Sequence, residues 1–193
     1  LLIVLPAGAD PIRIGAVASL TGPAAEQGRN WLDGAELAVA DLRRAGLELS
    51  LIVEDDGTNG AKAYGAFKKL VTVDRVRAVI GGTWDFTAEA VVPLVRMHRV
   101  PFVTPSNPVE ILSETARAVP SLFVNGLGIA ASRRAVDRFL TTTKPKSAAV
   151  VVPQLPFGTL HAEMLAELLR EHDIPLLLRE ELDFSGYRES LRA

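Results

Sequence analysis

Polar side chains that can bind a small molecule follow the apolar segments of this chain at intervals. The segment SLTGP begins at Ser19, EDDGT at Glu54, GTWDFT at Gly82 and TPSNP at Thr104. Each comes after a run of apolar residues that is typical of a strand. Open α/β sheets place their ligands at the loops that leave the carboxyl ends of the strands. The pattern predicts a binding site built from several loops, of which we expect the second, Asp55 to Asn59, to be structural.

Residues for catalysis or metal binding do not form a familiar motif. His98, His161 and His172 lack the HExxH spacing of a helical zinc site, and no GxSxG segment supplies a nucleophile. We expect these histidines to occupy solvated helix positions. The chain has no cysteine, which excludes thiol nucleophiles and thiolate zinc sites. These features favour a binding protein over an enzyme and predict neither a metal nor a cofactor.

Two other segments offer rival interpretations. Glu54, Asp55 and Asp56 bring three carboxylates together, but consecutive strand residues point to alternate faces, so we expect a solvated strand end rather than a metal cluster. The run from Gly126 to Ala131 matches the GxGxxA phosphate loop of a dinucleotide fold. The acidic residue that should end the following strand is replaced by VVVPQLP. A hinge that needs flexible glycines is the favoured explanation.

The composition is that of a globular chain with one domain or two small ones. Its 193 residues are 48% hydrophobic, and the net charge is -2. The charges form no long run, which argues against a nucleic-acid surface. No apolar run is long enough to span a membrane.

Hydrophobic periodicity predicts alternating strands and helices, and therefore an α/β fold with a mostly parallel sheet. The predicted strands are residues 12–17, 76–82, 100–105, 148–152 and 176–182, together with a strand that EDDGT closes. The predicted helices are a long one that carries DGAELAVADL and stops at Gly46, then residues 59–71, 87–97, 131–141 and 158–172, and a last one that starts at Tyr187.

The order of these segments resembles a known family of transport proteins. A strand, an SxTGP loop, Gly28, the DGAELAVADL helix, an EDDGT turn, VIGG and VPFVTP follow one another over Ile12 to Pro108. The segment AAVVVPQLPFG resembles the family's strand before a Tyr-Gly. This is the order found in periplasmic binding proteins of branched-chain amino acid ABC transporters, the Leu/Ile/Val-binding type.

The resemblance implies a type I periplasmic binding protein fold, in which two Rossmann-like lobes have parallel sheets flanked by helices. The N-terminal lobe is expected at residues 10–122 and an incomplete second lobe at residues 123–193. The first crossing between the lobes is expected within Val119 to Gly128.

The same resemblance assigns ligand contacts and shows where this chain departs from the family. The aromatic residue that family members often place before the glycine of the first loop is Gln27, and the serine that binds the ligand α-carboxylate falls at Asp85. A threonine that shares in binding the head group falls at Pro108, which has neither a hydroxyl nor an N–H. The tyrosine of the Tyr-Gly is Phe157. With neighbouring loop residues, the predicted ligand-binding set is Gln27, Trp31, Thr83, Trp84, Asp85, Phe86, Thr104, Ser106, Asn107 and Phe157.

The residue types at three of these positions predict the chemistry of the ligand. The charge of Asp85 should keep a free α-carboxylate out of its usual place and favour an ammonium, amide or hydroxyl. Trp84 and Phe86 are expected on an irregular segment, where Trp84 offers a surface for stacking or cation–π contact. The alternative for Asp85 is that it turns outward and caps a helix that begins near Thr87. The alternative for Phe86 is that it packs on neighbouring helices.

The implied function is that of an extracytoplasmic solute-binding protein of an ABC uptake transporter. Such a protein traps a small polar molecule, here amino acid-like or an amine, amide or polyol, between its lobes and delivers it to a membrane permease. The resemblance implies a soluble, exported, periplasmic protein that neither binds nucleic acid nor inserts into the membrane. The alternatives are a ligand-sensing regulator of the same fold, similar to the amide sensors, and a nucleotide-type α/β enzyme.

The two ends of the sequence add further expectations. Leu1 to Ala9 is apolar and ends in Ala-Gly-Ala before Asp10, which is typical of a signal peptide remnant, with a buried first strand as the alternative. A mature protein that starts at Asp10 would be soluble, because a lipoprotein needs a cysteine there. The resemblance implies a second lobe longer than residues 123–193. We therefore expect a fragment of a longer protein, which would bind its ligand weakly by itself.

Overall fold

The computed structural model describes residues 11–106 and 118–183, which divide into two compact units. The first unit comprises residues 11–106 and 118–126, and the second comprises residues 127–183. The predicted signal remnant, Asn107, Pro108 and the predicted helix from Tyr187 lie outside the described residues. Within the described residues, each helix is either too short or too polar to cross a membrane.

The first unit is a five-stranded parallel sheet with helices between its strands. Its elements are β1 (Ile12–Ala18), α1 (Ala25–Arg44), β2 (Leu49–Asp55), α2 (Gly60–Thr72), β3 (Ala78–Gly81), α3 (Asp85–His98), β4 (Phe102–Thr104) and β5 (Leu122–Val124). The strand order is β2-β1-β3-β4-β5, and every neighbouring pair is parallel. The predicted α/β fold with a parallel sheet is confirmed.

The strand order decides on which face each helix lies. From β1 the chain moves to one side to form β2, and it then moves to the other side to form β3 and β4. Connections between parallel strands are right-handed in nearly all proteins. Helix α1 must therefore cover one face of the sheet, and α2 and α3 must cover the other.

Helix α2 supplies much of the core on its face of the sheet. Its buried residues Ala63, Phe67 and Leu70 recur three and four positions apart and form one stripe. The Phe67 ring meets the Phe102 ring of β4 edge to face, with centroids 5.6 Å apart. A Cβ on Gly15 of β1 would lie 3.0 Å from Leu70, so the leucine side chain fills the space that this glycine leaves.

The second unit contains α4 (Ile129–Thr143), β6 (Ala148–Pro153), α5 (Pro156–Glu171) and β7 (Leu176–Leu182). Strands β6 and β7 are parallel, with an irregularity in register at Ala148 and Ala149. Buried side chains from both helices, from β6 and from the connection before β7 form its core: Leu140, Val150, Val152, Ala162, Met164, Leu168, Leu169 and Ile174. On the surface, Arg133 of α4 pairs with Glu167 and Glu171 of α5.

The predicted elements that fall within residues 11–106 and 118–183 are present, and some of their ends differ. Helices α3 and α5 each begin two residues before their predicted starts at Thr87 and Gly158. Proline is favoured in the first turn of a helix because its missing N–H has no partner there, which explains the start of α5 at Pro156. The predicted crossing from Val119 to Gly128 contains β5, which pairs with β4.

Candidate functional site

The loops of the first unit leave the carboxyl edge of the sheet in diverging directions. Strands β1 and β3 are neighbours, but the chain leaves β1 towards β2 and leaves β3 towards β4. Such a reversal of direction opens a crevice between the two loops, and open α/β sheets bind ligands at this point. The loop after β1 starts at Ser19, and the loop after β3 starts at Gly82.

Two hydrogen bonds join these loops. The backbone N–H of Ser19 donates to Oγ1 of Thr83 over 3.0 Å. The indole N–H of Trp84 donates to Oε1 of Gln27, in the first turn of α1, over 2.5 Å. The structure therefore brings three predicted ligand-binding residues, Gln27, Thr83 and Trp84, to the same crevice. Trp31 lies one turn after Gln27 on α1 and is half-buried.

Two glycines allow the backbone to come this close. A Cβ on Gly28 would lie 1.9 Å from the carbonyl oxygen of Ser19, so only a glycine lets α1 pack directly on the first loop. Gly81 ends β3 with φ +135°, a conformation that disfavours any side chain, and a Cβ there would lie 2.0 Å from the carbonyl oxygen of Val17.

The third loop leads directly into helix α3. Trp84 is the N-cap residue, and its ring meets the Phe86 ring edge to face at 5.9 Å. Asp85 is the first residue of α3, where the helix dipole stabilises a negative charge. The alternative in which Asp85 caps a helix that begins near Thr87 is wrong, because the helix begins at Asp85 and Trp84 holds the N-cap position. The irregular segment predicted for Trp84 and Phe86 is also wrong for Phe86, which lies within α3.

The fourth loop contributes two buried hydroxyl groups. The hydroxyls of Thr104 and Ser106 are 2.7 Å apart, and both side chains are buried. Thr104 ends β4, which lies beside β3, so the pair is on the same edge of the sheet as Thr83. Asn107 lies outside the described residues.

Phe157 belongs to the second unit and is described within it. It lies in the first turn of α5 and is 37% exposed, and its ring meets that of His161 at 5.8 Å.

The second loop differs from its prediction in one respect. Asp55 is exposed and ties the loops together, because its carboxylate accepts from the Leu20 N–H at 2.8 Å and from the Thr21 hydroxyl at 2.6 Å. Asp56, in contrast, has no exposed surface. The expected solvated strand end is wrong for Asp56, because the Ser19 hydroxyl packs against its carboxyl and donates to it over 2.6 Å.

The structural role expected for the loop that begins at Asp55 agrees with these contacts, whereas Ser19 and Asp56 were not predicted to shape the site. The available signal was the position of small polar residues directly at the ends of the first two strands. Such residues often bind loop backbone rather than water.

The three histidines are half-buried, with His98 and His161 on helices and His172 at the C-cap of α5. Nδ1 of His161 lies 2.8 Å from the carbonyl oxygen of Phe157, and Nε2 of His172 lies 2.7 Å from the Asp137 carboxylate. Among the described residues, no group of three histidine or acidic side chains is arranged to hold a metal ion.

A groove of about 560 Å³ lies between α4 and α5 in the second unit. Its lining includes Ile129, Leu160 and Met164, and it also includes Arg133 and Glu167, which pair with each other. None of the predicted ligand-binding residues lines it.

Comparison with known proteins agrees with the geometry of the sheet and its loops. The family described as "Periplasmic binding protein" matches residues 11–187. The chain belongs to this family. The resemblance to periplasmic binding proteins is confirmed, and so is the predicted type I periplasmic binding protein fold.

Individual members of the periplasmic binding protein family show how far the similarity extends. The Leu/Ile/Val-binding protein of Escherichia coli (strain K12) is 26% identical over 155 residues, which cover 78% of this chain and 41% of that protein. A solute binding protein of an ABC transporter from Rhodopseudomonas palustris BisB5, solved with 3,4-dihydroxybenzoic acid, has a TM-score of 0.81 and 17% identity, with coverage of 95% of this chain and 52% of that one.

A branched-chain amino acid transporter substrate binding protein from Streptococcus pneumoniae str. Canada MDR_19A, solved with isoleucine, is also similar. Its TM-score is 0.76 at 19% identity, and the match covers 95% of this chain and 54% of that one. The chain thus spans about half the length of these proteins.

Proposed function

We propose that this chain is part of an extracytoplasmic solute-binding protein of an ABC uptake transporter. The observation that carries the proposal is the pair of hydrogen bonds that joins the loops after β1 and β3 where the chain reverses direction across the sheet. Membership of the periplasmic binding protein family supports it. In this role the protein is exported to the periplasm, binds solute without transforming it, and passes it to a membrane permease.

We place the ligand beside Gln27, Thr83 and Trp84, with Thr104 and Ser106 at the neighbouring strand end. These groups offer hydroxyls, an amide and an aromatic face, which suit a small polar molecule. Trp31, Asp85 and Phe86 complete the proposed set of ligand contacts in the first unit.

Asp85 is the residue that we expect to select the ligand. Two unit charges of the same sign 4 Å apart repel by about 4 kcal/mol at an effective dielectric constant of about 20. A ligand carboxylate next to Asp85 would be repelled by about this energy, whereas an ammonium group would be attracted to a comparable extent. The ligand class that fits best is therefore a small amine, amide or polyol, or an amino acid-like molecule without a free α-carboxylate.

A ligand screen followed by one substitution tests this proposal. Thermal shift of the full-length protein against amino acids, amines, amides, polyols and aromatic acids identifies the ligand, because binding to the native state raises the melting temperature. Asp85→Ser should then weaken the affinity for that ligand by at least about tenfold, since a charged hydrogen-bond partner is lost. Isothermal titration calorimetry measures the change.

The matched control is Glu89→Gln, which removes a carboxylate one turn later on the same helix and should leave the affinity unchanged. Tight binding of leucine, isoleucine or valine by the unmodified protein would contradict the role of Asp85. So would an unchanged affinity after Asp85→Ser. A protein that binds no compound in the screen would count against the transport role itself.

A further inference from the structure

Two adjacent carboxyl groups after β2 have very different surroundings. Asp55 is exposed, and its carboxylate accepts from the backbone N–H groups of Leu20, Thr21 and Gly57 as well as from the Thr21 hydroxyl. This number of donors stabilises a carboxylate. Asp55 thus binds the first loop as a charged group.

Asp56 makes fewer contacts and is completely buried. Its Oδ1 accepts from the Ser19 hydroxyl at 2.6 Å and from the Thr58 N–H at 2.8 Å. Its Oδ2 is buried with no hydrogen-bond partner among the described residues. A charged oxygen that is buried without a partner costs much more free energy than a neutral one. The surroundings of Asp56 therefore favour the neutral carboxyl.

The contacts of Asp56 lead directly to the ligand crevice. The Ser19 hydroxyl donates a hydrogen bond to Asp56, and the Ser19 backbone N–H donates one to the Thr83 hydroxyl oxygen. The Ser19 N–H approaches the Thr83 hydroxyl oxygen from a fixed direction. The hydroxyl proton of Thr83 must therefore point in another direction. Asp56 therefore orients a hydroxyl of the proposed site through one intervening residue.

We propose that Asp56 is a positioning residue of the ligand site, which holds Ser19 and thereby Thr83 as a neutral carboxyl group, beside an ionised Asp55. The proposal rests on the proposed function for its link to a ligand. Its structural part, the hold on Ser19 and Thr58, can be tested without one.

The directions in which the pKa values of Asp56 and Asp55 shift agree with a neutral Asp56 beside an ionised Asp55. Burial raises the pKa of Asp56, the hydrogen bonds from Ser19 and Thr58 offset part of the rise, and the negative charge of Asp55 adds to it. Burial also pushes the pKa of Asp55 upwards, but its hydrogen bonds from Thr21, Gly57 and Leu20 together hold that pKa below the usual value. Within the described part of the chain, Asp55 is the charged neighbour whose field acts on Asp56.

The contributions of the two carboxyl groups to the stability of the loop depend on pH in opposite directions. A raised pKa in the folded state means that Asp56 stabilises the loop most in acid, and that this contribution is lost as pH rises through its raised pKa. A lowered pKa means that the contribution of Asp55 is present at neutral pH and is lost as pH falls through its lowered pKa.

Amide hydrogen exchange of the full chain without ligand tests the proposal. After correction for the intrinsic rates, protection of the Ser19 and Thr58 amides should fall from acid to neutral pH in the unmodified protein. Asp56→Asn, which keeps an acceptor and cannot ionise, should keep the acid-range protection and abolish the pH dependence. Asp56→Ala should lower the protection of both amides by at least about tenfold at every pH.

Two further variants guard against ambiguous outcomes. Asp55→Asn should lower protection of the Leu20 amide and leave the pH dependence at Thr58 in place. If Asp56→Ala does not fold, Ser19→Ala removes the same hydrogen bond and should lower protection of the amide at position 19.

Equal damage by Asp56→Asn and Asp56→Ala would show that a carboxylate is required and would overturn the proposal. Unchanged protection in Asp56→Ala or Ser19→Ala would overturn it as well. Because no ligand is present, these outcomes are independent of whether the protein transports a solute.

Discussion

Replacing Gly81 with alanine should destabilise the first unit by about 3–5 kcal/mol, near the upper end of single-residue effects. Gly81 has φ +135°, and an added Cβ would lie 2.0 Å from the backbone oxygen of Val17 in β1. Backbone cannot move aside as a flexible side chain can, so β1 and β3 would have to separate. Urea denaturation followed by circular dichroism measures the loss as a lower midpoint.

Gly65→Ala is the matched control for this substitution. Gly65 lies within α2, is exposed, and has no atom within 4 Å of the position that a Cβ would take. Alanine should therefore stabilise the helix by about 0.5–1 kcal/mol. A similar midpoint for the two variants would show that the close approach of β1 and β3 at Gly81 is described wrongly.

Phe67→Ala should cost about 3–5 kcal/mol of the free energy of unfolding. The Phe67 side chain is 0% exposed, and its ring contacts Phe102 edge to face. Removal of the ring leaves a cavity between α2 and the sheet that surrounding side chains can fill only in part. The measurement is again the urea midpoint, with the slope of the transition checked for a two-state process.

Tyr64→Ala provides the comparison on the same helix. Tyr64 is 40% exposed, so its removal should cost much less, about 1 kcal/mol or below. Equal losses of stability for Phe67→Ala and Tyr64→Ala would mean that the buried stripe of α2 does not face the sheet.

Local patterns in the sequence predicted the helices and strands because each pattern has a local cause. Helix α2 follows Asn59, whose side chain accepts from the Lys62 N–H at 3.0 Å, and its apolar residues repeat at helical spacing. Strand β7 has the predicted ends, Leu176 and Leu182. Strand β5 has three residues and depends on pairing with β4, so it was included in a predicted crossing.

The site was harder to predict because its contacts are not local. The loops were recognised from polar residues at strand ends, but the burial of Asp56 depends on Ser19, 37 residues earlier in the chain. A run of three acidic residues is usually solvated, and no local signal distinguishes the buried one. The start of α3 was misplaced because Trp84 is an uncommon N-cap residue, whereas Asp85 is a favoured one.

The distance along the chain between the partners at the crevice has a consequence for how the protein folds. Gln27 and Trp84 are separated by 57 residues, and Ser19 and Thr83 by 64. Contacts of such long range form after local helices, because a large loop must first be closed. The crevice can therefore assemble only when β3 has docked beside β1. A fluorescence change at Trp84 during refolding would mark the completion of the sheet, whereas far-ultraviolet circular dichroism would respond earlier, as the helices form.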